Sequence, residues 1–197
     1  MAASREGRTR RTATPDPQSM PAWDAASGHL HVLVDTARGS ATKFKFDSAR
    51  GAFRISHVLP PGTVFPFDFG SVPSTAAEDG DPLDVLVLLE HPTFPGCLVP
   101  VRLVGVLEAK QTAKGRTQRN DRLIGVAAES RVYRDVRSLA DVPSRLLDEL
   151  EHFFVSYNEE RGRKFRVLGR FGPVRAKSLV KAGERLFRKQ AARSGAR

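Results

Sequence analysis

The segment that most constrains this chain is residues 79–85, with the sequence Asp-Gly-Asp-Pro-Leu-Asp-Val, which leads directly into an apolar run. Gly and Pro are the residues that tight turns use most often, so the pattern predicts a turn that opens into a buried strand. The aspartates Asp79, Asp81 and Asp84 repel one another at this spacing unless a cation neutralises them. Mg²⁺ prefers oxygen ligands and usually takes one or two carboxylates together with water and phosphate oxygens. The segment therefore predicts a metal site, and the simpler alternative is an acidic surface turn.

Length and composition indicate one globular domain with tails. The chain has 197 residues, of which 40% are hydrophobic, which is enough for a single core. It contains no apolar run long enough to cross a bilayer and no apolar segment typical of a secretory signal near its start. Its one cysteine, Cys97, has no internal partner for a disulfide, so we expect a reducing compartment, the cytoplasm.

The net charge of +10 is concentrated at the C-terminus. Residues 175–197 carry eight Lys or Arg against Glu184 alone, whereas residues 29–174 are nearly balanced. A nucleic-acid-binding domain usually carries its basic excess on the folded body. The tail is therefore interpreted as a solvated helix face, in preference to a contact for nucleic acid, polyphosphate or an acidic partner.

Hydrophobic patterning divides the chain into three parts. Residues 1–28 show no hydrophobic period and are predicted to be a disordered tail, residues 29–172 to be a barrel domain, and residues 173–197 to be a basic helix and tail. Short β-rich segments bounded by Gly, Pro or polar residues predict a small barrel or coiled sheet. These segments are 30–35, 43–46, 52–56, 84–90, 99–107, 123–127 and 165–168.

Two other segments have distinct patterns. Residues 110–122 are polar and basic and are predicted to form a loop. A helix is predicted to begin near Pro143, with Asp141 as its cap, because apolar residues recur at spacings of one, three and four. Tyr157 lies on that apolar stripe.

The motif at 79–85 resembles the signature of the soluble family I inorganic pyrophosphatases, and the similarity extends over roughly residues 30–171. The resemblance implies an α+β protein built on a five-stranded OB-like β-barrel flanked by helices. It also implies Mg²⁺-dependent hydrolysis of pyrophosphate to two orthophosphates by activated water. Members of the family commonly form homo-oligomers, although no pattern in this sequence marks a subunit interface.

The resemblance assigns roles that agree with the chemistry of the aspartate cluster. Asp79 and Asp84 would hold the metal, and Asp81 would accept the proton of the attacking water. Lys43 and Tyr157 match residues that bind phosphate in the family. The alternatives are a solvated lysine at a strand edge and a tyrosine packed in the core.

Several positions depart from the family pattern. Lys45 stands where the family has a glutamate, and His57 replaces a phosphate-binding arginine but can still donate a hydrogen bond. Phe65 and Phe69 replace two tyrosines, and Asn158 replaces a lysine.

The metal ligands of the family also change. Two further metal aspartates become Gln111 and Asn120, although Asp121 is one step away and can supply one ligand. Arg122 keeps the charge of a family lysine that binds phosphate, and Asp35 is a shortened glutamate. Because carboxylates are lost and cations gained, we expect a site with fewer metals and weaker turnover.

Two other functions compete with the enzyme. A pseudoenzyme of the same fold would bind phosphate compounds or act as a scaffold without turnover. A basic barrel would bind single-stranded nucleic acid by stacking bases on Phe65, Phe67 and Phe69, but the nearly balanced charge of the core and the proline-rich setting favour burial of these rings.

Overall fold

The structure, a computed structural model, describes residues 16–194. Within them lie nine strands and two α-helices. The strands are β1 (Leu30–Thr36), β2 (Thr42–Asp47), β3 (Ala52–Val58), β4 (Asp68–Ser71), β5 (Asp84–Leu88), β6 (Leu98–Ala113), β7 (Arg116–Arg119), β8 (Arg122–Ala127) and β9 (Lys164–Phe171). The helices are α1 (Ser144–Glu159) and α2 (Pro173–Ser194).

Five strands form a closed ring in the order β1, β4, β5, β8 and β6, because β6 also pairs with β1. The pair β5–β8 is parallel, and the other pairs of the ring are antiparallel. Strands β7 and β9 extend the sheet from β6, while β2 and β3 form a separate hairpin. The ring and its two helices confirm the predicted five-stranded OB-like barrel of an α+β protein.

The ring strands are buried on both faces. In β5, for example, successive side chains belong to two different cores. Leu86 and Leu88 belong to an aromatic-rich core that also contains Leu150 and Phe154 of α1. Val85 and Val87 belong to a second core rich in Val and Leu, which α2 joins through buried Ala176 and Val180. Successive strand residues point to opposite faces, so one continuous apolar run supplies both cores.

The long strand β6 bends at Gly105, where its register with β8 shifts. A Cβ at this position would lie 2.4 Å from both the carbonyl oxygen of Phe171 and Cγ of Leu139. Since both approaches are far inside van der Waals contact, only glycine lets β9 and the 3₁₀ turn Leu139–Asp141 close on the barrel.

Some segments differ from the sequence-based expectation. The predicted loop 110–122 is a hairpin, because β6 continues to Ala113 and pairs with β7. Asp141 accepts hydrogen bonds from the backbone N–H groups of Arg137 and Ser138, just before its own 3₁₀ turn, and Pro143 occupies the N-cap of α1.

The two predicted tails are partly packed. In the part of the N-terminal tail that is described, 16–28, Ala22 is buried and Trp23 pairs with Leu30. The predicted C-terminal helix is present as α2, and it packs on the barrel. Residues 1–15 and 195–197 of these predictions lie outside the described residues. No helix of the described chain is long and apolar enough to span a membrane.

We expect Leu150→Ala to lower the free energy of unfolding by about 2–5 kcal/mol, because it leaves a cavity in the aromatic-rich core. Leu146→Ala is the matched control, since that side chain lies on the same helix and is only partly buried. Urea denaturation of both variants measures the difference. Equal losses in the two variants would contradict the assigned core.

Candidate active site

A cavity of about 590 Å³ lies beside the β2–β3 hairpin, the turn before β5 and the C-terminal end of α1. Charged residues of both signs line it. The cations are Lys43, Lys45, Arg54, Arg122, Arg161 and Arg163. The carboxylates are Asp16, Asp35, Asp79, Asp81 and Asp84. The cavity therefore brings together all the residues that the sequence analysis predicted for the site except Asp121, since His57 and Tyr157 also line it.

Buried polar atoms without a hydrogen-bond partner concentrate in this cavity. Among the described residues these atoms are Gln18 Oε1, His57 Nε2, Arg102 Nε, Arg122 Nε and Asn158 Oδ1, and all but Arg102 belong to residues that line the cavity. A buried polar group without a partner is costly. The cavity is thus a place where water or a polar ligand completes the hydrogen bonding of the protein.

Backbone hydrogen bonds hold the turn that carries the three aspartates. Gly80 adopts φ +85°, a conformation that glycine tolerates best. The backbone N–H of Ala77 donates to the carbonyl of Asp81 at 2.7 Å, and the N–H of Leu83 donates to Thr75 Oγ1 at 3.1 Å. Asp84 then starts β5, so the turn and the strand together aim the carboxylates at one cavity.

The three aspartates of the turn have different partners. Asp84 pairs with Arg122 at 2.7 Å, and Asp81 pairs with Lys45 at 2.5 Å. The carboxylate of Asp79 accepts a hydrogen bond from the N–H of Asp81 and has no cation within ion-pair distance among the described residues. Burial raises the pKa of Asp79, and repulsion from Asp81 and Asp84 adds to that rise. Asp79 is therefore the carboxylate that gains most from an added cation.

The hairpin places Lys43 and Lys45 two residues apart, on one face of β2. Lys43 Nζ lies 4.4 Å from the centre of the Phe69 ring, within the range of a cation–π contact. Burial lowers the pKa of Lys43, and attraction from Asp84 opposes this shift. Burial also raises the pKa of Asp35 to about 7. These groups are poorly hydrated, which strengthens their interaction with a charged ligand.

Arg122, at the start of β8, is almost fully buried. Its guanidinium carbon lies 5.2 Å from the ring centre of Phe154, 5.5 Å from that of Phe165 and 5.8 Å from that of Phe69. Three aromatic rings and the carboxylate of Asp84 therefore fix its orientation. Phe69 thus contacts two cations through its ring and offers them no hydroxyl group.

The phenylalanines near the cavity are part of the core. Phe65, Phe67 and Phe69 are 1%, 4% and 1% exposed. Phe65 packs edge-on against Phe153 and Tyr157. This burial agrees with the favoured expectation for these rings and disfavours the alternative in which they stack nucleic-acid bases, because none of them presents a face to solvent.

His57 and Tyr157 lie side by side, with ring centres 5.3 Å apart. Burial lowers the pKa of His57 to about 4, and repulsion from Arg161, Lys43 and Arg163 adds to the shift. Burial also raises the pKa of Tyr157 to about 12. The hydroxyl of Tyr157 accepts a hydrogen bond from Arg161 at 3.2 Å. At neutral pH both side chains are therefore uncharged.

The structure does not bring Asp121, the predicted third metal ligand, into the cavity. Its carboxylate pairs with Arg119 at 2.7 Å and accepts a hydrogen bond from the N–H of Ala109. Gln111 and Asn120 line the cavity instead, and their amides bond each other at 2.8 Å. Asn120 and Asp121 are adjacent between β7 and β8, but only the side chain of Asn120 lines the cavity.

The sequence analysis missed Arg54, Arg161 and Arg163, which also line the cavity. Arg161 and Arg163 flank Gly162 directly after α1. The sequence contained a signal for two of them. Two arginines flank a glycine just after the helix that carries Tyr157, which indicates a turn with positive charge next to that residue.

Comparison with known proteins agrees with this geometry. The family model described as inorganic pyrophosphatase matches residues 32–188. The inorganic pyrophosphatase of Thermus thermophilus is 38% identical over 147 residues, which cover 75% of this chain and 82% of that protein. That of a Nostoc species is 37% identical over 153 residues, which cover 78% of this chain and 88% of that protein.

Solved structures give the same result. A crystal structure of the Thermus thermophilus inorganic pyrophosphatase superposes with a TM-score of 0.80 and 34% identity, covering 88% of this chain and 99% of the other. An inorganic pyrophosphatase from Coxiella burnetii superposes with a TM-score of 0.77 and 30% identity, covering 85% and 99%. The chain belongs to the inorganic pyrophosphatase family.

We expect His57 to titrate with a pKa of about 4, well below the ordinary value of 6.5. Neighbouring cations disfavour the imidazolium, so Arg161→Met should raise this pKa toward the ordinary value. Histidine side-chain NMR spectra recorded over a pH series measure both values. The exposed His152, which does not line the cavity, is the internal control for the spectra. An ordinary pKa for His57 in the unsubstituted protein would contradict the cation-rich cavity.

Proposed function

We propose that this protein hydrolyses pyrophosphate to two orthophosphates, with Mg²⁺ as its cofactor. The observation that carries the proposal is the meeting of Asp79, Asp81 and Asp84 with Lys43 and Arg122 in one cavity of a pyrophosphatase-family chain. A condensed phosphate needs cations to hold its oxygens, and its hydrolysis needs a group that accepts a proton. The cavity offers both.

The residues present fit Mg²⁺ held by few protein ligands. Among residues 16–194, no three His, Cys, Asp or Glu side chains are grouped closely enough to hold a metal ion by themselves. Asp79 and Asp84 both line the cavity, however, and Asp79 has no cationic partner in the described chain. Mg²⁺ commonly takes one or two carboxylates and completes its shell with water and substrate oxygens. When bound, Mg²⁺ supplies a Lewis acid that polarises phosphoryl oxygens and makes water easier to deprotonate.

The cations of the chain bind the substrate. Lys43 and Arg122 are poorly hydrated and face the cavity, where a phosphoryl group can replace the missing water. Arg122 is held by aromatic rings, so it needs no reorganisation to meet the substrate. Preorganised charge of this kind stabilises the charge that moves during phosphoryl transfer.

Asp81 is the proposed proton acceptor. A water oxygen forms a bond to one phosphorus, the proton of that water passes to Asp81, and the bond from phosphorus to the bridging oxygen breaks. The bridging oxygen keeps the electron pair and leaves as part of the second orthophosphate. Asp81 suits this role because it is 58% exposed and thus open to water in the cavity.

The ion pair of Asp81 with Lys45 favours slower turnover than three free carboxylates would allow. The pair must loosen before Asp81 can reach a water, and Lys45 carries the opposite charge to a metal ligand. Gln111 and Asn120, which are uncharged and bonded to each other, add no carboxylate. The proposed enzyme therefore relies more on protein cations and less on metal ions.

We expect Asp81→Asn to lower kcat on the order of a hundredfold or more, because an amide cannot accept the proton. Orthophosphate release from pyrophosphate with Mg²⁺ measures the change. Asp135→Asn is the matched control, since that carboxylate is 88% exposed and outside the cavity, and its activity should be unchanged.

Two outcomes would contradict the proposed enzyme. Equal activity of Asp81→Asn and the unsubstituted protein would remove Asp81 from catalysis. Tight Mg²⁺-dependent binding of pyrophosphate without any release of orthophosphate would instead support a pseudoenzyme of the same fold.

We expect Lys45→Glu to bind Mg²⁺ more tightly in the absence of substrate. The substitution removes the ion pair and adds a carboxylate beside Asp81, and more negative ligand charge favours a divalent cation. Isothermal titration calorimetry with MgCl₂ measures the affinity, and Lys45→Gln is the control that removes the pair without adding a ligand. Identical affinities for the Glu and Gln variants would show that position 45 does not face the metal.

The remaining sequence-based expectations stay predictions. These are a cytoplasmic location and a homo-oligomeric state, with contact of the basic C-terminus with nucleic acid or polyphosphate as the less favoured alternative to a solvated helix face. The half-buried, unpaired thiol of Cys97 is consistent with the first of them.

A further inference from the structure

We propose that Glu78 and Arg119 are positioning residues, which together hold the turn of the three aspartates in place at the wall of the active-site cavity. This inference rests on the proposed function and adds the means by which this chain keeps Asp79 and Asp81 in position. Glu78 comes directly before the motif, and Arg119 is the last residue of β7. Neither side chain lines the active-site cavity, so both act through other residues.

The turn of the three aspartates borders two cavities. The second one has a volume of about 350 Å³, and Asp79, Pro82 and Asp84 line both it and the active-site cavity. Small and apolar residues of α2 form another part of its wall, and these are Leu179, Ala182, Gly183 and Leu186. A segment with open space on two sides has little packing to fix it. The position of the turn therefore depends on the hydrogen bonds that its own residues make.

One hydrogen bond joins the turn to the β6–β7 hairpin, between residues that are 41 positions apart. The backbone N–H of Arg119 donates to Glu78 Oε2 at 3.0 Å. Because Glu78 precedes Asp79 directly, this bond fixes the start of the turn. The N–H of Ala77 donates to the carbonyl of Asp81 and fixes its end. A carboxylate that accepts from a backbone N–H makes a charge-assisted hydrogen bond, which is stronger than a neutral one.

Carboxylates hold Arg119 in turn. Its Nη2 lies 2.8 Å from Glu108 Oε2 and 2.7 Å from Asp121 Oδ1. Asp121 also accepts a hydrogen bond from the N–H of Ala109 on β6, at 2.9 Å. Burial alone would raise the pKa of Glu108, but hydrogen bonds from Arg175 and Arg119 hold it below its ordinary value. Arg119 is therefore fixed through its side chain as well as through the pairing of its strand.

Glu108 joins this network to α2. It is 6% exposed, and its Oε1 accepts a hydrogen bond from Nε of Arg175 at 2.5 Å. Arg175 lies in the first turn of α2. Two cations and two carboxylates thus compensate one another, and breaking up such a network is costly. The strands β6 and β7 and the helix α2 form one base, to which Glu78 ties the turn.

This attachment bears on the metal and on the proton acceptor. Mg²⁺ demands near-ideal positions of its ligands, and a displacement of about 1 Å in a site can cost on the order of a hundredfold in rate. Asp79 is also repelled by Asp81 and Asp84, which favours opening of the turn. The bond to Glu78 opposes that opening. Asp121 contributes to the site in the same indirect way, as a partner of Arg119.

Hydrogen–deuterium exchange of the peptide that spans residues 76–84 tests the attachment without metal or substrate. We expect Glu78→Ala to raise the exchange rate of its amides by about tenfold, as the loss of one charge-assisted hydrogen bond would. Glu78→Gln keeps an acceptor oxygen and should restore most of the protection. Glu129→Ala is the matched control, because that carboxylate is exposed and lines neither cavity, and its exchange in this peptide should be unchanged.

Metal affinity and kinetics test the consequence for the site. Isothermal titration calorimetry with MgCl₂ should show that Glu78→Ala and Arg119→Met each weaken binding by about tenfold, the usual cost of losing a group that orients a metal ligand. Arg119→Lys should lie between Arg119→Met and the unsubstituted protein. The variants should lower kcat more than they raise KM, because the turn carries the proton acceptor and not the substrate-binding cations. Thermal unfolding curves check that the variants are folded.

The outcomes distinguish this inference from the proposed function. Unchanged exchange and unchanged Mg²⁺ affinity in Glu78→Ala would overturn the positioning role, while orthophosphate release by the unsubstituted protein would keep the enzyme. Losses that multiply fully in the Glu78→Ala, Arg119→Met double variant would also contradict it, since two residues that act through one attachment are not additive. If the unsubstituted protein releases no orthophosphate but exchange and Mg²⁺ affinity depend on Glu78, the positioning role stands and hydrolysis fails.

Discussion

The contact on which the site most depends is the ion pair between Asp84 and Arg122. Asp84 starts β5 and Arg122 starts β8, and these strands run parallel as neighbours in the barrel. The pair therefore joins the motif turn to the closed sheet at the point where both strands leave the cavity. Phe154 and Phe165 pack beneath the guanidinium, so the same contact also joins the site to the aromatic core. A buried pair is stable only when its charges are well compensated, and here a carboxylate and aromatic faces share that compensation.

The charges around this ion pair determine which charged ligands the cavity favours. Lys45 neutralises Asp81, and the amides of Gln111 and Asn120 bond each other and carry no charge. Asp79 is left as the carboxylate of the turn without a cation. This distribution of charge is why we propose a divalent ion beside Asp79 and a polyanion over the cations of the cavity. Lys and Arg can hold phosphate but cannot activate water as a metal does, so this balance favours substrate binding over fast turnover.

The parts that could be predicted from the sequence are those with local causes. The motif turn, the alternating strands and the apolar stripe of α1 depend on residues close together in the chain, and the structure shows them all. The hairpin of β6 and β7 was missed because its basic residues have a weak strand preference, and pairing with β6 decides their conformation. The position of Asp121, outside the cavity and paired with Arg119, could not be predicted because it depends on the register of the sheet.

The C-terminal helix has two faces with different surroundings. Its basic residues predicted a solvated helix face, and its other face contacts the segment that carries the motif. The N–H of Ala76 donates to the carbonyl of Gly183 at 3.1 Å, and a Cβ at Gly183 would lie 2.8 Å from Leu83 Cδ1. Leu83 is the motif residue directly before Asp84, so α2 supports the turn of the three aspartates from behind. The charged face and the packed face are separate because a helix presents different residues on its two sides. Net charge describes only the first of them.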